Sequence, residues 1–125
     1  MLIKGDALKW LALKHGLRGG GIYASKFYRP EESWPKTRVW WFEIPLDRIR
    51  AHDSTQIHLL CQTGPTSVDF YYLKVPVTYF REHLNQFHVR SDNGKISIYL
   101  SADPSHLFVE ERGNGGVNFK SFLIS

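Results

Sequence analysis

The sequence predicts an α+β protein with a single mixed or mainly antiparallel β-sheet of about five to six strands, an N-terminal helix and one helix packed on the sheet. Two kinds of pattern support this prediction. Runs rich in β-branched and aromatic residues recur between turn-forming residues, which is typical of strands. Two other segments repeat apolar residues at helical spacing. The length of 125 residues fits one domain, 1–125, with a core that needs no disulfide.

The first helix is predicted in the segment GDALKWLALKHG. Leu8, Leu11 and Ala12 recur at i, i+3 and i+4, and His15 extends the same face by one turn. Gly16 is suited to end the helix. We therefore expect a short amphipathic helix, followed by a glycine-rich segment in which GIYASKFY could form one strand.

The segment RVWWFEIP predicts a second strand, which Pro45 ends. If residues 38–44 are extended, the even-numbered residues from Trp40 to Ile44 share one face and the odd-numbered residues from Val39 to Glu43 share the other. Because both faces are largely apolar, we expect a central strand that is covered on both sides. We expect Trp40 and Phe42 to be structural.

The rest of the chain predicts a hairpin, a helix and two further strands. QIHLLCQ at 56–62 and SVDFYYLKV at 67–75 flank the turn TGPT, and the parity of Cys61 makes it a core thiol. VTYFREHLNQF at 77–87 places four apolar residues on one helical face. The pair Asn93-Gly94 favours a type I′ turn before the strand KISIYL, and HLFVEER is the last predicted strand.

Composition limits the compartment and the class of protein. The single cysteine cannot form an internal disulfide, so no oxidising compartment is implied. Charged residues interrupt the apolar N-terminal segment, which argues against a signal peptide. No apolar run approaches the roughly eighteen residues of a membrane span. We expect a cytoplasmic protein with no membrane partner.

The positive charge is concentrated at the start of the chain. The net charge is +4, yet residues 1–50 hold ten Lys and Arg against five Asp and Glu. Clustered cations favour a polyanionic partner, because they displace the counterions of phosphates. Acidic residues 31 and 32 lie in the same region and could neutralise some of these cations.

Rings and cations are interleaved in the segment SKFYRPEESWPKTR. Aromatic faces stack on unpaired bases while Lys and Arg follow the phosphates. This pattern predicts a nucleic-acid-binding loop, DNA or RNA, formed by Lys26, Tyr28, Arg29, Trp34, Lys36 and Arg38. Trp, Tyr and Arg are also the residues of protein hot spots. A protein-interaction module, or a homo-oligomer that buries the Trp-rich strand, therefore remains an alternative.

Three segments, FYYLKVPVTYFREHLNQF, GKISIYLSA and FVEERGNGGVNFKSFL, together with the order of elements, resemble the later part of small proteins of the restriction-endonuclease-like, or PD-(D/E)XK, superfamily. The resemblance covers residues 38–125. It implies a mixed sheet flanked by helices, DNA or RNA as partner, and a nuclease site that holds a divalent metal ion such as Mg²⁺.

The catalytic motif of that superfamily is incomplete in this chain. A (D/E)-x-K motif needs an acidic residue two positions before a lysine, and none of the eight lysines has one. Glu43 and Asp69 are the carboxylate pair that the predicted strands offer to a metal ion. The chain could thus be a nuclease, an inactive relative, a partner subunit or an unrelated protein.

Overall fold

The computed structural model describes residues 3–16, 21–33, 36–51, 55–113 and 116–124, without the side chains of residues 3 and 4. The predicted α+β class is confirmed: these residues form three α-helices and six strands. The helices are α1 (Ile3–His15), α2 (Leu46–Arg50) and α3 (Val77–Glu82). The strands are β1 (Ile22–Ser25), β2 (Val39–Pro45), β3 (Gln56–Gln62), β4 (Phe70–Pro76), β5 (His88–Val89) and β6 (Lys95–Ser101).

The strands form two sheets, so the prediction of a single sheet is wrong. The first has the order β1-β3-β4, in which β1 is parallel and β4 antiparallel to β3. The second has the order β2-β6-β5 and is antiparallel throughout. The strand β2 is therefore at the edge of its sheet, and β6 takes the central place that the sequence predicts for β2.

The two sheets meet where β1 and the residues after it lie beside β2, a contact that we call the seam. The Ser25 hydroxyl accepts a hydrogen bond from the backbone N–H of Trp41 at 2.8 Å and donates one to the carbonyl of Lys26. Further along the same contact, Tyr28 and Val39 exchange backbone hydrogen bonds of 2.9 and 3.2 Å. A side-chain hydroxyl thus replaces part of a backbone ladder, which explains why the sheet is divided at this point.

Gln62, at the end of β3, ties the same region to the first sheet. Its side-chain carbonyl accepts from the N–H of Phe27 at 2.9 Å, and its backbone carbonyl accepts from the indole N–H of Trp40 at 2.7 Å. Gln62 is buried. Since a buried amide without partners would be costly, these bonds stabilise the position of the loop on β2.

The main core lies between the inner faces of the two sheets. The predicted alternation in β2 is confirmed, because Trp40, Phe42 and Ile44 are all buried there. The predicted core thiol Cys61 is buried in the same cluster. The helices α2 and α3 contribute Ile49 and, in α3, two further apolar side chains.

The helix α1 covers the outer face of the first sheet. Ala7 and Leu11 pack against Ile22, Leu60, Phe70 and Tyr72. The predicted apolar face of α1 included Leu8 and is therefore partly wrong, since Leu8 is 37% exposed. The small side chain at position 7 takes its place on the buried face, where the helix contacts the sheet.

Several predicted boundaries differ from the structure. The second predicted helix is α-helical only to residue 82 and continues as a 3₁₀ turn over Leu84–Gln86. The predicted strand at 106–112 forms only isolated bridges. In the pair Asn93-Gly94 only the glycine has a positive φ, of 65°, so the turn is not of type I′.

The outer face of the β2-β6-β5 sheet has no helix on it among the described residues, because α1 lies on the other sheet and α2 and α3 contribute to the main core. No helix in the described ranges is long and apolar enough to cross a membrane. Val39, Ser97, Tyr99 and Ser101 on this sheet face are nevertheless buried. The candidate functional site lies around its half-buried residues Trp41 and Glu43.

We predict that Ser25→Ala will lower the free energy of unfolding by about 1–3 kcal/mol, because it leaves the N–H of Trp41 without its acceptor. Urea denaturation measures the change. The matched control is Ser91→Ala in an exposed turn, which we expect to be nearly neutral. Equal stability of the two variants would contradict the assigned role of the seam.

Candidate nucleic-acid interface

A pocket of about 290 Å³ opens at the seam. Its lining residues come from β1, from the segment after it and from β2: Ala24, Ser25, Lys26, Tyr28, Trp41 and Glu43. The structure thus brings together three residues to which the sequence assigns two different roles. Lys26 and Tyr28 are predicted to bind nucleic acid, and Glu43 is predicted to hold a metal ion.

Three aromatic rings form a continuous cluster beside this pocket. Trp41 and Tyr99 are directly opposite each other on β2 and β6, and their rings are nearly parallel, with centroids 6.2 Å apart. Tyr28 approaches Trp41 edge-on at 6.4 Å. Tyr28 and Trp41 are only half-buried and line the pocket, whereas Tyr99 is buried and supports Trp41.

Lys26 is the cation of the pocket. Its Nζ lies 4.7 Å from the centroid of the Tyr28 ring and 3.1 Å from Oε2 of Glu32. Partial burial raises the pKa of the Tyr28 hydroxyl, and the charge of Lys26 opposes that shift. The pKa of Glu32 is lowered, first by the backbone N–H of Arg29 and then by Lys26. The Lys26–Glu32 pair is exposed, so its contribution to stability is small.

Glu43 is held by an arginine from the β5–β6 connection. Nη1 of Arg90 lies 2.6 Å from Oε2 of Glu43, and Nη2 lies 2.7 Å from Asp92. These two carboxylates raise the pKa of the Arg90 guanidinium, Asp92 more than Glu43. Glu43 is 21% exposed and is therefore partly accessible from the pocket.

Glu110 is a buried carboxylate that no sequence pattern singles out, and it binds the backbone of Tyr99, one of the three rings of the cluster. Glu110 is 2% exposed, and its Oε2 accepts from the backbone N–H groups of Tyr99 and Arg112 at 2.9 and 2.8 Å. Its Oε1 accepts from the N–H of Gly113 at 2.7 Å. Three hydrogen bonds to one carboxylate fix the loop after residue 110 against β6.

Ser97 links the supporting residues of this face to Trp41. Its hydroxyl oxygen lies 2.9 Å from the indole Nε1 of Trp41 and 3.1 Å from Nη1 of Arg112, both of which donate to it. The guanidinium of Arg112 also lies 5.4 Å from the centroid of the Tyr99 ring. The orientation of the Trp41 ring is thus set by a hydrogen bond on one edge and by Tyr99 on one face.

The other predicted loop residues do not line the pocket. Arg29 and Lys36 are exposed and form no ion pair with any residue that the structure describes. Arg38 is exposed and lies 3.9 Å from Asp103, a weak pair at the far end of β6. Trp34 lies outside the described residues.

Of the predicted carboxylate pair, Glu43 lines the pocket and Asp69 is not among the lining residues. Asp69 is exposed and precedes β4, whose first residue is Phe70, so its predicted place within a strand is wrong. Its carbonyl accepts from the N–H of Thr63, and its own N–H donates to the hydroxyl of Ser67. The described residues contain no group of three or more His, Cys, Asp and Glu side chains placed to hold a metal ion.

The Trp-rich strand, β2, buries two of its aromatic rings, Trp40 and Phe42, in the protein's own core. Trp40 is 1% exposed and stacks on Phe108 with ring centroids 5.3 Å apart. A subunit interface on this strand would therefore use the half-buried Trp41 and not Trp40. The oligomer alternative thus competes with the nucleic-acid prediction for the same pocket residues.

No family model, no curated protein and no solved structure matches this chain. The resemblance to the restriction-endonuclease-like superfamily stays a prediction.

We predict that Glu110→Gln will destabilise the protein by about 1–3 kcal/mol, because an amide NH₂ would face a backbone N–H that now has a carboxylate acceptor. Glu111→Gln makes the same change of charge on an exposed neighbour and is the control. Denaturant unfolding gives the stability, and near-UV circular dichroism reports the packing of the rings. An equal effect of the two substitutions would refute the supporting role of Glu110.

Proposed function

We propose that this protein binds single-stranded nucleic acid at the seam pocket. The observation that carries the proposal is the combination of one cation, Lys26, with two half-buried rings, Tyr28 and Trp41, on a sheet face that no described helix covers. Accessible rings on the face of a sheet are a general means of stacking unpaired bases. Each stacked base contributes about 1–3 kcal/mol.

The size of the pocket favours one base at a time. A volume of about 290 Å³ is just below the roughly 300–1,000 Å³ found for small-molecule pockets. A planar base could lie against Trp41, whose ring is already oriented by Ser97 and Tyr99. Because the base must leave its own stack to enter, we expect single strands to bind better than duplexes.

Nearby cations supply the attraction for phosphates. Lys26 forms an exposed ion pair with Glu32. Because such a pair contributes little to stability, a phosphate could replace Glu32 as the partner of Lys26 at a small cost in free energy. Arg29 and Lys36 are exposed on the same connection between β1 and β2. Part of the basic excess of residues 1–50 is therefore exposed on the connection that carries Lys26 and Tyr28.

Binding has more support than hydrolysis. Of the predicted carboxylate pair, Glu43 lines the pocket and already pairs with Arg90, whereas Asp69 is not among the lining residues. The hypothesis of a Mg²⁺-dependent nuclease rests on these two residues alone. Incubation with a plasmid and Mg²⁺ or Mn²⁺ tests it directly, with Glu43→Ala as the control.

A protein-interaction module is the second candidate, because half-buried Tyr and Trp rings beside arginines are also typical of protein hot spots. The two candidates differ in their dependence on salt. Binding to a single strand weakens steeply as salt rises, whereas an interface built on rings depends on salt much less.

We predict that Lys26→Gln combined with Lys36→Gln will weaken binding to labelled single-stranded DNA or RNA. Fluorescence anisotropy at several salt concentrations measures it. The slope of log affinity against log salt should become shallower by about 0.7 for each phosphate that the variant no longer neutralises.

The matched control is Lys9→Gln combined with Lys120→Gln, which removes two exposed charges away from the pocket. It should leave the slope nearly unchanged. Equal slopes for both double variants, or wild-type affinity that does not depend on salt, would contradict the proposed function.

A further inference from the structure

We infer that the seam pocket prefers an unpaired guanine, through hydrogen bonds from the Watson–Crick edge of the base to Glu43. This inference rests on the proposed function. Glu43 is the one charged hydrogen-bond acceptor among the described residues that line the pocket. It lies on the same surface as Trp41 and Tyr28. A base stacked on Trp41 would therefore have a carboxylate within the same small space.

The Glu43 carboxylate keeps acceptor capacity after it has paired with Arg90. The guanidinium is bound to Oε2, and Oε1 has no hydrogen bond to any residue that the structure describes. A carboxylate offers about four acceptor sites on its two oxygens. The pair with Arg90 also limits the rotation of the Glu43 side chain, so its free oxygen is held in place before a base arrives.

An acceptor-only group selects among the four bases by their donors. Guanine presents two adjacent donors, N1–H and the N2 amino group, that match the free Oε1 and the remaining acceptor site of Oε2. Adenine and cytosine present one amino group next to a ring nitrogen acceptor, which a carboxylate repels. Uracil and thymine present one N–H between two carbonyls, and both carbonyls are acceptors too. Guanine is thus the base that Glu43 fits best.

Cations near Glu43 explain why this carboxylate does not simply repel a nucleic-acid strand. Its charge is partly offset by Arg90 at 2.6 Å, which Asp92 shares, and Lys26 lines the same pocket. The phosphates can follow Lys26 and the exposed cations of the loop while the base edge meets Glu43. Paired acid and base groups of this kind add selectivity more than total affinity.

The test uses oligothymidylates of about ten nucleotides, a length within the site sizes of known single-strand binders, with one central nucleotide varied. Guanine at that position should bind on the order of tenfold more tightly than thymine. Inosine, which keeps N1–H and lacks the N2 amino group, should fall between them. Fluorescence anisotropy on the full chain gives the affinities. The same series in RNA shows whether the pocket prefers guanine in DNA or in RNA. Competition with guanosine monophosphate shows whether the free nucleotide binds in the same pocket.

Glu43→Gln should reduce the preference for guanine to less than about twofold, since the amide offers one acceptor in place of two. The control is Glu82→Gln, the same change of charge at an exposed position on α3, which should keep the preference. Circular dichroism confirms that both variants are folded.

The outcomes separate this inference from the proposed function. Tight, salt-dependent binding with no preference among the bases would overturn the inference and leave the proposed function standing. A preference for guanine that survives in Glu43→Gln would also overturn it. If no single strand binds at all, both proposals fail.

Discussion

The hydrogen bond from the Trp41 N–H to the Ser25 hydroxyl is the interaction on which the pocket depends. It joins two sheets that otherwise have their own ladders, and it places Lys26 and Tyr28 beside the outer face of β2. Because the bond uses a side chain instead of a backbone carbonyl, no backbone ladder joins β1 to β2, and the pocket lies at this contact. The bridge between Tyr28 and Val39 fixes the other end of the same opening.

The same face of the protein is built from polar and aromatic groups that support one another. Trp41 is oriented by Ser97, Tyr99 is positioned by the bonds of its backbone to Glu110, and Glu43 is paired with Arg90. These interactions hold the rings in place without a helix to cover them. A rigid, half-exposed ring loses little entropy when a base stacks on it, which is the physical reason to expect binding at this face.

The sequence predicted what depends on local alternation, and it did not predict what depends on distant contacts. Period-two patterns correctly placed Trp40, Phe42 and Cys61 in the core. The seam joins residues 16 positions apart through the hydroxyl of Ser25, and no local pattern shows which backbone N–H that hydroxyl contacts. Arg90 reaches Glu43 across 47 positions for the same reason. Lys26, Tyr28 and Glu43 were each singled out from the sequence, but only the fold shows that they share one pocket.

The most direct test of the central claim is a titration of the ¹⁵N-labelled protein with single-stranded DNA, followed by the backbone amide signals. We expect the largest shifts on residues 24–28 and 41–43, which flank the pocket, with smaller shifts at 97–99 behind it. Shifts confined to α1 and β4, or no shifts at low salt, would show that the seam is a structural contact and not a binding site.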